Sequence, residues 1–138
     1  MAVQAPTIEL GRIMQGGVAP AIMAIVDRGA RKRPELARDL RAEIELNMEG
    51  GYPPVRILFG GDLVLVEDVE DGSASEPDLR VSGTLADLVS LMVAPLVGGL
   101  PNPINRRGRA ALGMVAQGRV KVEGRLGLLR RFLGVIQV

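Results

Sequence analysis

The sequence predicts an α+β fold built around one mixed sheet, and three observations lead there. First, Ala42, Ile44, Leu46 and Met48 alternate with Glu43, Glu45 and Asn47. Period two marks a strand with one wet face and one dry face. Second, apolar residues on either side of the strand region recur at helical spacing, as in Leu85, Leu88, Val89, Met92 and Leu96. Third, consecutive strands come first, and later strands are separated by helices, which is the α+β order rather than a regular βαβ alternation. With 138 residues, 47% of them apolar, the chain is long enough for a real core, and residues 1–138 are expected to form one domain.

The elements follow in order. The stretch TIELGRIM is expected to open a helix with Thr7 as N-cap, interrupted at Gly16-Gly17, so residues 1–19 are an N-terminal extension with helical character. VAPAIMAIVDRGARKR is helical, with Pro20 in its first turn and a basic end that suits the helix dipole. PELARDL adds a turn or two from Pro34, and Gly29 leaves one helix or two open. AEIELNM is the first strand, GGYPP turns the chain, and VRILF is the second. GGD at 60–62 is a tight hairpin signal leading into the third strand, LVLVEDV. EDGSASEPD is an acidic connection, and LRVSG is the fourth strand. Thr84 and Asp87 have capping-box spacing at the start of the next helix, with Asp in place of the usual Glu or Gln. After the Pro/Gly loop LPNPINRRG come a short helix RAALGMVAQ, a fifth strand RVKVE and a final helix RLGLLRRFLGVIQ.

Composition narrows function by removing chemistry. There is no cysteine, hence no disulfide and no thiolate metal site. There is no histidine either, which removes the commonest acid–base group, the Ser-His and Cys-His pairs and the usual zinc ligand. GMVAQGRV (113–120) has the glycine spacing of a phosphate-binding loop, but Arg119 and Val120 stand where Lys and Ser/Thr belong, and a strand rather than a helix follows. DVEDGSASE fails as a calcium loop because Gly72 is one place early and Val69 cannot be a ligand. No catalytic constellation remains, so the expectation is a protein that is not an enzyme and needs no cofactor or metal. With only Phe59, Phe132 and Tyr52 for base stacking, no nucleic acid partner is expected. The start lacks a secretory signal and the longest uncharged run, 88–105, is broken by prolines and glycines, so a cytoplasmic location is expected.

Net charge is +1, but residues 1–80 hold 9 Lys/Arg against 14 Asp/Glu, whereas 81–138 hold 8 against 2. The basic second part suits an anionic surface. In the last helix Leu126, Leu129, Phe132, Leu133 and Ile136 follow 3–4 spacing, and Leu128 and Val135 widen the stripe beyond the roughly 100° that core packing needs. A lipid cavity, a closed core or a homodimer interface would each use that excess.

The run PDLRVSGTLADLVSLMVAPL, followed after a loop by QGRVKVEGRLGLL, resembles the sterol carrier protein 2 (SCP2-like) lipid-transfer domain family. The shared marks are a Thr-capped Leu-rich helix and a glycine-led strand that ends in Gly-x-x-Gly-Leu: Gly118, Val120, Val122, Gly124, Gly127 and Leu128. RPELARDLRAEIELNMEGG…VRILFGGDLVLVEDV is similar to the family's leading helix and hairpin strands, so the resemblance spans about 20–138. One departure is the segment 93–114, which is long and rich in Pro and Arg. The resemblance implies a five-stranded mixed sheet with helices packed on one face, and a sterol, fatty acid or acyl-CoA held in an apolar tunnel between them, without catalysis. Ile44, Leu46, Ile57 and Phe59 are the expected floor of that tunnel; Leu88, Met92, Leu96, Leu129, Phe132 and Leu133 are its expected roof. Arg106, Arg107 and Arg109 are the expected contact with an anionic membrane. The alternative is an accessory or interaction domain of the same fold, closed or homodimeric and without cargo.

Overall fold

A computed structural model describes residues 4–70, 76–92, 96–97, 100–101, 113 and 117–136. Its elements are β1 (Thr7–Leu10), α1 (Ala19–Lys32), α2 (Pro34–Asp39), β2 (Arg41–Met48), β3 (Val55–Gly60), β4 (Leu63–Asp68), β5 (Leu79–Gly83), α3 (Leu85–Met92), β6 (Leu96–Val97), β7 (Leu100–Pro101), β8 (Lys121–Gly124) and α4 (Leu126–Ile136). Six strands form one mixed sheet in the order β1-β4-β3-β2-β5-β8, and β6 pairs with β7 in a separate ribbon.

The meander β2-β3-β4 is antiparallel, β5 runs parallel to β2 and β8 closes the edge antiparallel to β5. Strict alternation sets the register. Ala42, Ile44, Leu46, Met48, Val55, Ile57, Phe59, Val64, Val66, Leu79 and Val81 all fall on one face and join a single buried cluster with residues of α1, α2, α3 and α4. Around it, α1 packs on β1 and β4, α2 on β3, α3 on β5, and α4 on α1 and α2.

The structure corrects the sequence reading in the sheet and decides a point it left open in the helices. The sheet has six strands, not five, and the extra one is β1, where Thr7 was expected to cap a helix. TIEL pairs in parallel with Leu63–Val66, so the open edge of β4 overrides the weak local helix signal. The open point was whether one helix or two follow, and α1 and α2 are two helices that part at Arg33. Arg33 precedes Pro34 and lies outside the helical region (φ −134°, ψ 65°), in keeping with the steric conflict between a proline ring and a helical residue before it. Gly29 stays inside α1 for a different reason: a Cβ there would lie 2.1 Å from the Val135 carbonyl oxygen of α4.

The start of α1 is anchored from outside the helix. No side chain of its own caps it; Ala19 N–H donates to Oδ1 of the fully buried Asp68 (3.2 Å), and Met14 N–H donates to Oδ2 (2.9 Å). One inward carboxylate at the end of β4 thereby serves a helix N-terminus and ties down the loop from β1. The short helix expected over RAALGMVAQ lies almost wholly outside the described residues.

Candidate functional site

The apolar residues singled out by the sequence converge. Ile44, Leu46 and Ile57 are at most 1% exposed and Phe59 is 2% exposed, all on the inner face of the sheet. Leu88 and Met92 of α3 and Leu129, Phe132 and Leu133 of α4 are buried in the same cluster. The Phe59 and Phe132 rings meet edge-on, with centroids 6.2 Å apart and planes at 74°, linking α4 directly to the sheet. Leu96 falls in β6, where its side chain lies outside the described residues, as do Arg106, Arg107 and Arg109 and the side chain of Leu126.

At about 100° per residue, the buried positions of α4 (Leu128, Leu129, Phe132, Leu133, Val135 and Ile136) sweep an arc of about 160°. In the remaining arc the residues whose side chains are described are small or basic: Gly127, Arg130, Arg131 and Gly134. Across the interior between α3, α4 and the sheet, the buried set is hydrocarbon. Among the described residues the only buried ionisable groups are Asp68 and Asp87, and both stand at element ends.

Asp87 closes one side of this interior. Its N–H donates to Thr84 Oγ1 (3.1 Å), the helix cap expected from the spacing, while its carboxylate accepts from Arg119 Nε (3.3 Å) and Nη2 (2.5 Å). A two-point guanidinium pair of this kind fixes orientation as well as charge, so the entry to β8 is tied to the first turn of α3. Opposite, α4 ends against α1. Arg28 donates to the Ile136 carbonyl and Arg33 to the Val135 carbonyl, each at 3.4 Å, so α1 supplies the cations that the exposed carbonyls of a helix end favour.

Apart from the Thr84 cap, these polar contacts escaped the sequence reading, though Asp68 had a usable signal. It continues the inward parity of Val64 and Val66, which predicts a buried carboxylate in need of donors. Nothing in the sequence pairs Arg119 with Asp87, or Arg28 and Arg33 with α4.

The outer face of the sheet has its own order. One row across neighbouring strands reads Glu67, Arg56, Glu45, Arg80, Glu123. Arg56 donates to Glu67 and Glu43, and Arg80 to Glu45 and Glu123. The hydrogen bond from Arg56 holds the Glu67 carboxyl below the usual glutamate range against the opposing effect of burial; Arg56 and Arg80 are correspondingly raised by their bonds to Glu67 and Glu45. Two polar clefts flank the row. One of about 310 Å³ is lined by Asn47, Ser82, Arg119, Lys121 and their neighbours, and one of about 260 Å³ by Arg12, Arg56, Glu67, Asp68, Val69 and Glu70. None of the apolar residues expected to line a tunnel borders either cleft. Among the described residues no group of His, Cys, Asp or Glu could hold a metal, and no helix is long and apolar enough to cross a membrane.

No protein-family model matches the chain, and neither does any curated protein. Solved structures do. The UbiJ-SCP2 ubiquinone synthesis protein superposes with a TM-score of 0.60 at 18% identity, over 86% of this chain and 88% of that one. Sterol carrier protein 2 from Yarrowia lipolytica, in its apo form, gives 0.55 at 16% identity over 89% and 92%. The stereoselective inverting sec-alkylsulfatase Pisa1 from Pseudomonas sp. gives 0.53 at 15%, over 75% of this chain but only 14% of that much longer one. At such identities the likeness is one of fold: an SCP2-like α+β fold with a mixed sheet, here of six strands.

Proposed function

We propose that this chain is a non-catalytic lipid-binding protein that holds a sterol, fatty acid or acyl chain between the inner sheet face and helices α3 and α4. The observation that carries the reading is the absence of polar side chains from that buried interior among the described residues, with Asp68 and Asp87 confined to its ends. A guest there could satisfy no hydrogen bonds, so it must be hydrocarbon. The energetics suffice: about 15 buried methylenes at roughly 0.8 kcal/mol each amount to about 12 kcal/mol gross. After association costs of several kcal/mol this corresponds to micromolar to nanomolar binding without any designed polar contact. The names of two structural neighbours, a sterol carrier protein and an SCP2-type ubiquinone synthesis protein, support the same reading. Native mass spectrometry of protein purified from cells tests it: an adduct of lipid mass is expected, and a bare chain that also ignores a fluorescent fatty acid overturns it. For an acyl-CoA the headgroup would remain outside, and Arg106, Arg107 and Arg109 are the proposed contacts with an anionic membrane.

A second reading has its own observation. Phe59 and Phe132 touch, so at that point α4 and the sheet meet with nothing between them. A closed module used for interaction or as a homodimer fits this contact, and the recurrence of the fold within a small share of an alkylsulfatase chain is in keeping with accessory use. The same mass spectrum separates the readings, since it reports cargo and oligomeric state together.

A further inference from the structure

The mixed sheet ends in two strands, β1 and β8, whose outer sides no other described strand covers. Such an edge presents a row of backbone N–H and C=O groups and is a template for a further strand. The two edges differ in what they can accept. β1 reads TIEL, with Glu9 as its one charge, whereas β8 reads KVEG, with Lys121 and Glu123 on either side of Val122. Lys121, Glu123 and Gly124 are exposed, and Val122 is half-buried against the core.

The charges of β8 continue the order of the outer face but leave it unfinished. The row Glu67, Arg56, Glu45, Arg80, Glu123 alternates in sign and stops at the sheet edge. Arg56 and Arg80 each have a glutamate on both sides, while Glu123 has Arg80 on one side, at 3.3 Å, and a side chain 66% accessible. The next row reads Asn47, Ser82, Lys121, and among the described residues Lys121 makes no ion pair. The edge therefore holds a carboxylate open on one side and, two residues away on the same face, an ammonium without a counter-charge.

One geometry satisfies both. In an antiparallel pair with Val122 opposite Val122 of a second copy, Lys121 of each chain faces Glu123 of the other. Opposite charges placed so are stabilising and like charges destabilising. With Glu123 at the centre two glutamates would meet, and with Lys121 at the centre two lysines would. The registers between these set Val122, which belongs to the inner face, against an outer-face charge. The charges that guard this edge thus admit a single pairing. Gly124 bounds it: at φ +118° the chain leaves the strand there, before Arg125 could face Arg119 of the second copy.

We infer that β8 is a homodimer interface, in which two copies pair antiparallel about Val122 and the charge row runs on from Glu123 of one chain to Lys121 of the other. This register preserves parity, so the inner faces continue each other and both sets of helices lie on the same side. There is room for them. Helix α3 packs on β5, so the two copies of α3 stand three strand spacings apart, roughly 14 Å, which exceeds the about 8–10 Å of packed helices. β1 offers no equivalent, since centring on Ile8 sets Glu9 against Thr7 and centring on Glu9 opposes two glutamates. A β1-to-β8 pairing would be head-to-tail and leave an edge open for further copies. The inference goes beyond the lipid-binding reading and holds whether the interior is filled or closed. A strand of four residues buries little, so the dimer belongs to the concentration-dependent class below about 1,200 Å².

Sedimentation velocity at low salt should show a mass that rises towards two chains with concentration, and salt should weaken the association because both ion pairs are exposed. Lys121→Glu and Glu123→Lys each set like charges opposite one another twice, and each should weaken the dimer about tenfold or more. Mixed in equal amounts, the two variants should associate again, because each supplies the charge that the other lacks. A variant that failed to fold would not be rescued in this way. A chain that stays monomeric at every concentration overturns the inference. So does a dimer indifferent to salt and to both substitutions, which would use another surface, or a mixture that remains monomeric. None of these readouts depends on cargo, so a bare chain in the mass spectrum and an absent dimer are separate failures.

Discussion

On the inner face of the sheet, Ile44, Leu46, Ile57 and Val66 are at most 1% exposed and join one apolar cluster, whereas between them, on the outer face, Glu45, Arg56 and Glu67 are half-buried and each is bonded to a charge of opposite sign. The same strands thus carry two different kinds of order. Inside, the contacts are non-directional, and their value scales with the area removed from water. Outside, each contact is a directed pair in high dielectric and individually worth little. The inner face can accept a guest of any apolar shape at modest cost, while the outer face specifies a neighbour for each charge. Changes on the two faces should therefore differ in size, and the inner face should separate packing from cavity.

Phe132→Ala has the largest expected effect. The ring is 1% exposed and touches Phe59, so its loss should cost about 3–5 kcal/mol in urea unfolding. A cost below about 1 kcal/mol would mean that the ring borders a guest rather than packed protein, and would blur the contrast between the faces while favouring the cavity. Next comes a matched pair of glycines. Gly29→Ala should destabilise by about 1–3 kcal/mol, because α1 and α4 must part to admit a Cβ otherwise 2.1 Å from the Val135 carbonyl. Gly134→Ala, with open space around its Cβ, should stabilise by up to about 1 kcal/mol through helix propensity alone. Equal effects of the two would show that the α1–α4 contact adjusts freely. Thr84→Ala should then cost about 1 kcal/mol by removing the bond to Asp87 N–H, readable as a lowered melting temperature.

The inner face was legible in the sequence because alternation is a local property. Ala42 to Met48, Val55 to Phe59 and Leu79 to Val81 reveal their parity within a few residues, and the apolar floor follows from it. Helix α4 was legible for the same reason. What depends on pairing between distant segments was not. Strand β1 exists because TIEL meets the edge of β4, and its own residues would equally begin a helix. Asp68 reaches N–H groups 49 and 54 residues away, and Arg119 reaches Asp87 from 32 residues off. The break at Arg33 was written in Pro34, but Gly29 left the number of helices open, because the reason for that glycine lies in α4. The proposed lipid site divides along the same line. Its apolar lining is a local signal, whereas the groups at its edges depend on tertiary pairing.

The smallest expected effect tests the outer face. Arg56 and Glu67 are partly exposed, with side chains 31% and 14% accessible, so Arg56→Gln should cost about 1 kcal/mol or less at neutral pH. The pH dependence carries more information than the size. In the folded protein the bond from Arg56 lowers the Glu67 pKa below its ordinary value of 4.5. A depressed carboxyl contributes stability that is fully present above its unfolded value and is lost as pH falls through its folded one. In Arg56→Gln the largest lowering influence is gone, and the upward push of burial on Glu67 is opposed only by the weaker influence of Arg12. The wild-type advantage should therefore hold from neutrality down to about pH 5 and shrink as the solution becomes more acid, because the wild type then gives up what the variant never had. Urea unfolding of both proteins from pH 7 to pH 3 measures this. An advantage that stays constant over the range would mean that Arg56 acts through its hydrocarbon stem over the strand rather than through its charge, and the outer row would then be a packing feature like the inner face.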